Sequence, residues 1–175
     1  AMNGNGDTVI VWMDDHSGSS AVYAQRLDAA GNRLWATDVR VNSGDGVLWS
    51  LDPPAVAVSE SGEAVVLWSG WRNLDFGIYG QRLDADGNKL WATDVRVDFD
   101  SSTTFPYDPA VAADGENGIV VVWRGKHSGE DVVDVYAQRL DASGAKLWTA
   151  DIQVNSSGGA PAPYSQPAVA VDGSG

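Results

Sequence analysis

The chain contains no cysteine and few basic residues. The absence of cysteine excludes disulfide bonds and metal sites built from thiolates. Eleven lysines and arginines stand against 24 aspartates and glutamates, so the formal net charge is −13. Nucleic acids and anionic membrane surfaces both require a basic face on the protein that binds them, and the charge therefore argues against both as partners.

Long apolar runs are also missing from the sequence. No stretch approaches the roughly 18 consecutive apolar residues that a membrane-spanning helix requires. Hydrophobic residues nevertheless make up 43% of the 175 residues, which is typical of a globular protein and too high for a disordered one. The composition therefore predicts an acidic globular protein that does not insert into a membrane.

What the sequence does contain is one phrase written three times. Tyr-Ala/Gly-Gln-Arg-Leu-Asp occurs at 23–28, 79–84 and 136–141, with spacings of 56 and 57 residues. A period of this length indicates a repeat architecture, in which each unit buries its apolar faces against its neighbours.

Each repeat of about 56 residues is predicted to form four β-strands, because no stretch has a helical period. The first strand follows a proline, the second is an apolar run that ends in tryptophan, the third alternates, and the fourth begins with Leu-Trp. A turn with glycine in fourth place joins the third strand to the fourth. The predicted units are three strands over 8–42, complete repeats over 54–98 and 109–155, and a closing first strand at 167–171.

The predicted fold is all-β, and the four-stranded repeats favour the blades of a β-propeller. Apolar runs without alternation imply sheets that are covered on both faces. One tryptophan from the second strand and one from the fourth would then pack between blades as a structural core. These are Trp12, Trp68 and Trp123 from the second strands and Trp35, Trp91 and Trp148 from the fourth. A β-trefoil is the alternative, since its threefold symmetry matches the number of repeats.

The strand count predicts self-association. Twelve predicted strands amount to three blades, with one blade divided between the two ends of the chain. Propellers usually contain four to eight blades. Two chains that each donate the strand at 167–171 to the other's first sheet would form a six-bladed homodimer and cover both free strand edges.

The full repeat combines Pro-Ala-Val-Ala-Val, a valine- and tryptophan-rich strand, Tyr-Ala/Gly-Gln-Arg-Leu-Asp-Ala-x-Gly-Asn and Val-Arg-Val-Asn. This phrase resembles the tandem repeats of large secreted or surface-anchored bacterial proteins, including giant adhesin-like proteins, whose repeats are taken to be β-propeller blades. The resemblance covers residues 8–171. It implies an extracellular or cell-surface location and a structural or binding role, and it implies no catalytic residues.

The residues themselves also argue against an enzyme. Arg26, Arg82 and Arg139 recur once per repeat, which indicates a structural role, whereas a catalytic site usually breaks the symmetry at one place. In the turn motif of sialidase-like hydrolases, glycine precedes tryptophan by three positions, but Gly87 precedes Trp91 by four. We therefore predict no catalytic residues and no cofactor, and a glycoside hydrolase is the least favoured function.

The turn at 84–88 is the one segment that suggests a metal, because Asp84-x-Asp86-Gly87-Asn88 is rich in oxygen. Calcium takes six to eight oxygen ligands. The other two repeats carry Ala30 and Ser143 in place of Asp86. We interpret the segment as a hairpin turn and predict no metal site.

A multivalent carbohydrate-binding lectin is the main alternative to a structural interaction module. Aromatic residues outside the repeated core pattern would stack on sugars from loops between or within the repeats, where binding residues are commonly found. The candidate glycan-binding residues are Trp49, Trp71, Phe105, Tyr107 and Tyr164. Their positions differ among the repeats, so the predicted sites would be unequal.

Overall fold

A computed structural model of the chain describes residues 1–15, 20–44, 47–48, 52–72, 75–99, 103–127, 132–156 and 166–172. All regular secondary structure within these ranges is β-strand, and none of it is helical. The prediction of an all-β protein is therefore confirmed. No helix in the described part of the chain is long and apolar enough to cross a membrane.

The strands form three antiparallel sheets, one for each repeat. Sheet 1 contains β1 (Thr8–Asp14), β2 (Ala21–Leu27) and β3 (Val39–Arg40). Sheet 2 contains β4 (Val47–Leu48), β5 (Ala55–Val58), β6 (Ala64–Arg72), β7 (Asp75–Leu83) and β8 (Val95–Arg96). Sheet 3 contains β9 (Thr103–Ala113), β10 (Ile119–His127), β11 (Val133–Leu140) and β12 (Ile152–Gln153).

Apart from β4 and β5, strands that follow one another in the chain are neighbours within each sheet. Sheet 3 has the order β12-β11-β10-β9, and sheet 1 has the order β1-β2-β3. In sheet 2, β7 pairs with the whole length of β6, so β4 and β5 share the opposite edge of β6. Short connections between consecutive strands account for this simple order.

The hairpin between the third and fourth strands of each repeat has the predicted geometry. Asp28 donates its backbone N–H to the carbonyl of Asn32, and Gly31 donates to the carbonyl of Asp28. The turn glycines have φ angles of 83°, 86° and 85° at Gly31, Gly87 and Gly144. This left-handed conformation favours glycine because it has no Cβ atom.

The first and fourth strands differ from their predicted extents. The fourth strands contain only two residues each, because a glutamine side chain replaces part of the backbone ladder. β9 begins at Thr103 and not at Pro109, and it is irregular, with shifts in register against β10 and positive φ at Phe105 and Asp108. Proline inside a strand is tolerated at such irregularities.

The segment at 166–172 is extended but belongs to no strand in the described part of the chain. Its residues alternate between exposed and half-buried, with Pro167, Val169 and Val171 on the inner side. With Asp114, Val120, Arg139 and Trp148, residues 169–172 border a cleft of about 470 Å³ against sheet 3. The segment therefore lies beside sheet 3 and joins none of the three sheets that the structure describes.

Two apolar cores lie between consecutive sheets. The first contains Val9, Val22, Ala24, Trp35 and Val41 from sheet 1, and Ala64, Val66, Trp68, Tyr79 and Leu83 from sheet 2. The second contains Val65, Leu67, Ile78, Trp91 and Val97 from sheet 2, and Ile119, Val121, Trp123, Tyr136 and Leu140 from sheet 3. Sheet 2 is thus covered on both faces, as its unalternating apolar strands indicate.

Candidate interaction faces

Each core joins the same two surfaces of neighbouring repeats. We call the positions that face the next sheet along the chain the back face, and those that face the preceding sheet the front face. Sheet 1 contributes a back face to the first core, sheet 2 contributes a front face to the first core and a back face to the second, and sheet 3 contributes a front face. Among the described residues, no sheet covers the front face of sheet 1 or the back face of sheet 3.

The repeat alignment identifies the residues of the two uncovered faces. The strand registers place Thr8 against Leu27 in sheet 1 as they place Ala64 against Leu83 in sheet 2. The front face of sheet 1 therefore consists of Thr8, Ile10, Trp12, Tyr23 and Leu27. The back face of sheet 3 consists of Val120, Val122, Val135, Trp148 and Val154.

The exposure of equivalent residues shows that the two faces are incomplete cores. Ile10 is 45% exposed, whereas its equivalents Val66 and Val121 are fully buried at 0%. Val154 is 59% exposed, whereas its equivalents Val41 and Val97 are at 0%. Trp12 and Trp148 are half-buried, while the other four tryptophans of the repeated pattern are buried.

The tryptophan that precedes the fourth strand of each repeat also makes a polar contact across each core. Trp35 donates its Nε1–H to the carbonyl oxygen of Ala85 at 2.9 Å, and Trp91 donates to that of Ala142 at 3.0 Å. Both carbonyls belong to the hairpin turn of the next sheet. No sheet follows Trp148 in the part of the chain that the structure describes, and the carbonyl equivalent to Ala85 on the hairpin at 28–32 is that of Ala29.

The glycine of the hairpin turn packs against the same tryptophan ring, so that no side chain fits at its position. A Cβ atom added to Gly87 would lie 3.1 Å from the Trp35 ring and 2.9 Å from Val39. A Cβ atom added to Gly144 would lie at the same distances from Trp91 and Val95. The equivalent space beside Gly31 holds nothing within 4 Å.

The repeated arginine belongs to this contact as well. Arg26 Nη1 donates to the carbonyl of Ala85 at 2.8 Å, and Arg82 Nη1 donates to that of Ala142 at 3.2 Å. Each arginine also pairs with the acidic residue that directly precedes the second strand of its own repeat: Arg26 with Asp7 at 2.6 Å and Arg82 with Glu63 at 2.5 Å. Arg26 and Arg82 therefore make equivalent contacts, each within its own repeat and to the hairpin of the next sheet.

Arg139 occupies the equivalent position on the uncovered back face of sheet 3. Its Nη2 lies 2.9 Å from a carboxylate oxygen of Asp114, and its Nε donates to the same oxygen at 3.0 Å. Burial acts to raise the pKa of Asp114. Hydrogen bonds from Arg139 and from the backbone N–H groups of Glu116 and Gly118 outweigh burial and hold this pKa below its usual value.

The structure brings some of the predicted aromatic residues together and separates others. Trp71 lies on β6, and its ring centroid is 5.1 Å from that of Phe76 and 6.4 Å from that of Phe105. Tyr107 instead lies beneath the guanidinium of Arg124, at 4.9 Å. Trp49 and Tyr164 lie outside the described residues, so their predicted role stays a prediction.

Phe76 is the member of this aromatic cluster that the sequence reading missed. It is the direct cross-strand partner of Trp71 in the β6–β7 hairpin. Two aromatic residues on either side of a short connection were the available signal. The rings of Trp71, Phe76 and Phe105 contact one another, and only Phe105 is strongly exposed, at 57%.

In the oxygen-rich turn of the second repeat, the first carboxylate binds groups of the turn itself. Asp84 accepts hydrogen bonds from the backbone N–H groups of Asp86 and Asn88 and from the Asn88 side chain, at 2.8–2.9 Å. The hydrogen bond from the Asn88 side chain is the main reason that the pKa of Asp84 lies below its usual value. No group of three or more potential metal ligands occurs in the described part of the chain.

Comparison with known proteins adds no assignment to these features. No protein-family model matches the chain, and no curated protein matches it.

Proposed function

We propose that this chain is a non-catalytic structural and interaction module that binds a second copy of itself. Three blades from each copy would form a six-bladed β-propeller ring. The observation that carries the proposal is the pair of uncovered faces. One corresponds to the front half, and the other to the back half, of a core that the chain forms twice between its own sheets. Burial of apolar area provides the free energy for such contacts, at about 25 cal/mol per Å².

The two faces differ from each other, so copies would associate head to tail. The back face of sheet 3 in one copy meets the front face of sheet 1 in the other. A heterologous contact of this kind forms a ring when the rotation between units closes. In a ring of two chains the same contact occurs twice.

Polar groups support this pairing at the same positions. By analogy with the internal contacts, Trp148 of one copy donates its indole N–H to the Ala29 carbonyl of the other. Gly31 then lies on the Trp148 ring, in the space that is open in a single chain. Buried tryptophan N–H groups usually have such a partner.

The extended segment at 166–172 supports closure by strand exchange. It repeats the sequence of β5 and follows sheet 3 as β5 follows sheet 1. Its position beside sheet 3 is that of a first strand awaiting the rest of its blade. The rest of that blade is sheet 1 of the second copy. Among the described residues, no strand pairs with the inner edge of its β1 beyond Val9.

The propeller is favoured over the trefoil by how the strands pair. Each complete repeat forms its own four-strand meander, and the apolar contacts run between the faces of successive sheets. This is the arrangement of neighbouring propeller blades. The extracellular or cell-surface setting rests on the sequence resemblance alone.

A glycan site is the weaker proposal. The Trp71, Phe76 and Phe105 rings cover one another, which leaves a single strongly exposed ring face for a sugar. Lectin sites generally combine an accessible aromatic ring with several convergent polar groups.

The test is the absolute mass in solution across a dilution series, measured by light scattering after size exclusion. We expect about twice the 18.5 kDa of one chain. Val154→Asp places a charge in both contacts of the ring and costs about 3 kcal/mol or more in each. The dissociation constant should therefore rise by on the order of ten-thousandfold.

Leu147→Asp is the matched control for this variant. Leu147 is 50% exposed, and its equivalents Leu34 and Leu90 are 46% and 47% exposed although their sheets are covered. This position therefore lies outside the faces, and its substitution should leave the mass unchanged. A mass of one chain at every concentration, both for the unmodified protein and for a chain that lacks the first two residues, would overturn the proposal.

A further inference from the structure

The inner edge of β1 is partly covered by the first residues of the chain. Ala1 and Val9 exchange two backbone hydrogen bonds, of 2.9 and 3.0 Å, and Met2 forms a bridge with Thr8. In sheets 2 and 3, the first strand of the repeat pairs with the equivalent edge: Val58 pairs with Ala64, and Ala113 pairs with Ile119.

The covered positions are the ones that strand exchange requires. Residues 167–171 repeat the sequence of residues 54–58. In the register of β5 on β6, Val171 of a second copy would pair with Thr8, and Ala170 would pair with Val9. Met2 and Ala1 already occupy both positions.

A turn and a contact with sheet 2 hold these first residues in place. Asn3 donates its N–H to the Asp7 carbonyl, and its side-chain oxygen accepts from the N–H groups of Asn5 and Asp7. Gly4 donates its N–H to both carboxylate oxygens of Glu60, at 3.1 and 3.2 Å. The turn at residues 3–7 is therefore held by hydrogen bonds within the turn and to Glu60.

We infer that Ala1 and Met2 form a plug that competes with the second copy for the edge of β1. This inference rests on the proposed self-association and adds its regulation. The apolar faces dock with the plug in place, but the exchanged strand completes its pairing only after the plug leaves. Removal of the plug strengthens the assembly, and retention of it weakens the assembly.

Two variants test the plug from opposite directions. A chain that begins at Asn3, released from a fusion without added residues, lacks the plug. The double variant Met2→Cys, Thr8→Cys locks the plug when oxidised, because antiparallel pairs without mutual hydrogen bonds have the short Cα separation that a disulfide accepts. The chain has no other cysteine, so reduction releases only this bond.

The measurement is the dimer dissociation constant by sedimentation equilibrium. We expect the chain from Asn3 to bind at least tenfold more tightly than the full chain. The oxidised double variant should bind at least tenfold more weakly than the same molecule after reduction, which controls for the two substitutions. Equal constants within both comparisons would overturn the plug.

The outcome for the plug can be separated from that for self-association. If the full chain dimerises, Val154→Asp dissociates it and the plug variants have no effect, then the plug alone is wrong. If the full chain is monomeric and the chain from Asn3 dimerises, both inferences are supported. If every form has the mass of one chain, both are wrong.

Discussion

At the scale of single residues, the glutamine of the repeated motif fixes the tryptophan that precedes the fourth strand of each repeat. Gln81 is fully buried at 0% exposure. Its side-chain oxygen accepts from the backbone N–H groups of Arg82 and Trp91, at 2.9 and 3.1 Å, and its amide donates to the Trp91 carbonyl at 3.2 Å. An unpaired buried amide costs about 1–3 kcal/mol. Because the buried amide avoids this cost only by keeping its backbone partners, it holds Trp91 in position against the core.

The hairpin glycines give a residue-scale prediction. Gly31 and Gly87 both have a left-handed φ, so alanine at either position costs about 1 kcal/mol in backbone strain. Gly87→Ala adds a clash with the Trp35 ring, whereas Gly31→Ala meets nothing within the same chain. We therefore expect Gly31→Ala to change chain stability little but to raise the dimer dissociation constant at least tenfold, by overpacking in both contacts.

Chemical denaturation of dilute protein and sedimentation of concentrated protein measure these two effects separately. Gly87→Ala is the internal comparison, because its greater loss of unfolding free energy reports the clash that Gly31→Ala produces only between copies. Unchanged dimer affinity in Gly31→Ala would count against contact between this hairpin and Trp148.

At the scale of elements, the inner edge of β1 gives a prediction for hydrogen exchange. The Val9 N–H points to the inner edge, where it binds the Ala1 carbonyl. Since N–H directions alternate along an antiparallel strand, the Val11 N–H points to the same edge. In sheet 2 its equivalent Leu67 pairs with Ala55 of β5. We expect the Val11 amide to exchange quickly in dilute protein and slowly when the exchanged strand pairs with it.

Hydrogen–deuterium exchange followed by nuclear magnetic resonance at two concentrations provides the measurement. Leu67 is the control, and its amide should be protected at both concentrations. Rapid exchange of Val11 in a protein that has the mass of a dimer would show that the faces dock without strand exchange.

The sequence predicted the strand content better than the strand lengths. Hydrophobic runs and turn glycines were sufficient to place the second and third strands and the hairpin between them. The fourth strands are shorter than predicted because Gln25, Gln81 and Gln138 bind the backbone N–H of the following tryptophan. Sequence periodicity does not reveal where a side chain takes the place of a neighbouring strand.

The candidate aromatic site shows a second limit of the sequence. A proline is common at the first position of a strand, and the sequence therefore predicts that a strand begins at Pro109. β9 nevertheless extends back to Thr103 through irregular positions, which places Phe105 against Trp71. Pairing between distant segments of this kind depends on the packing of sheets 2 and 3, which local sequence preferences do not encode. The sequence predicts the uncovered faces only indirectly, through the number of strands.

At the scale of the whole molecule, charge opposes the proposed assembly. Each chain carries a formal net charge of −13, so two chains repel each other over a distance that salt determines. The Debye length is about 30 Å at 0.01 M and about 3 Å at 1 M ionic strength. Since the contact faces are apolar, salt screens the repulsion and removes little attraction.

We therefore expect dimerisation to strengthen with ionic strength. Between about 0.02 and 0.5 M sodium chloride, the dissociation constant should fall roughly tenfold. Sedimentation at several salt concentrations measures this slope. A dissociation constant that rises with salt would indicate ion pairs between copies and would contradict an apolar contact.

The complementarity of the two end faces has a consequence in polymer terms. A chain with one front face and one back face is a bifunctional monomer, and every bound copy again exposes one face of each kind until the ends meet. Closure of the ring is intramolecular, so its effective concentration is fixed by geometry, whereas growth of linear chains depends on the protein concentration. Dilution would then select rings, and high local concentration, as at a crowded surface, would select filaments of the same contact.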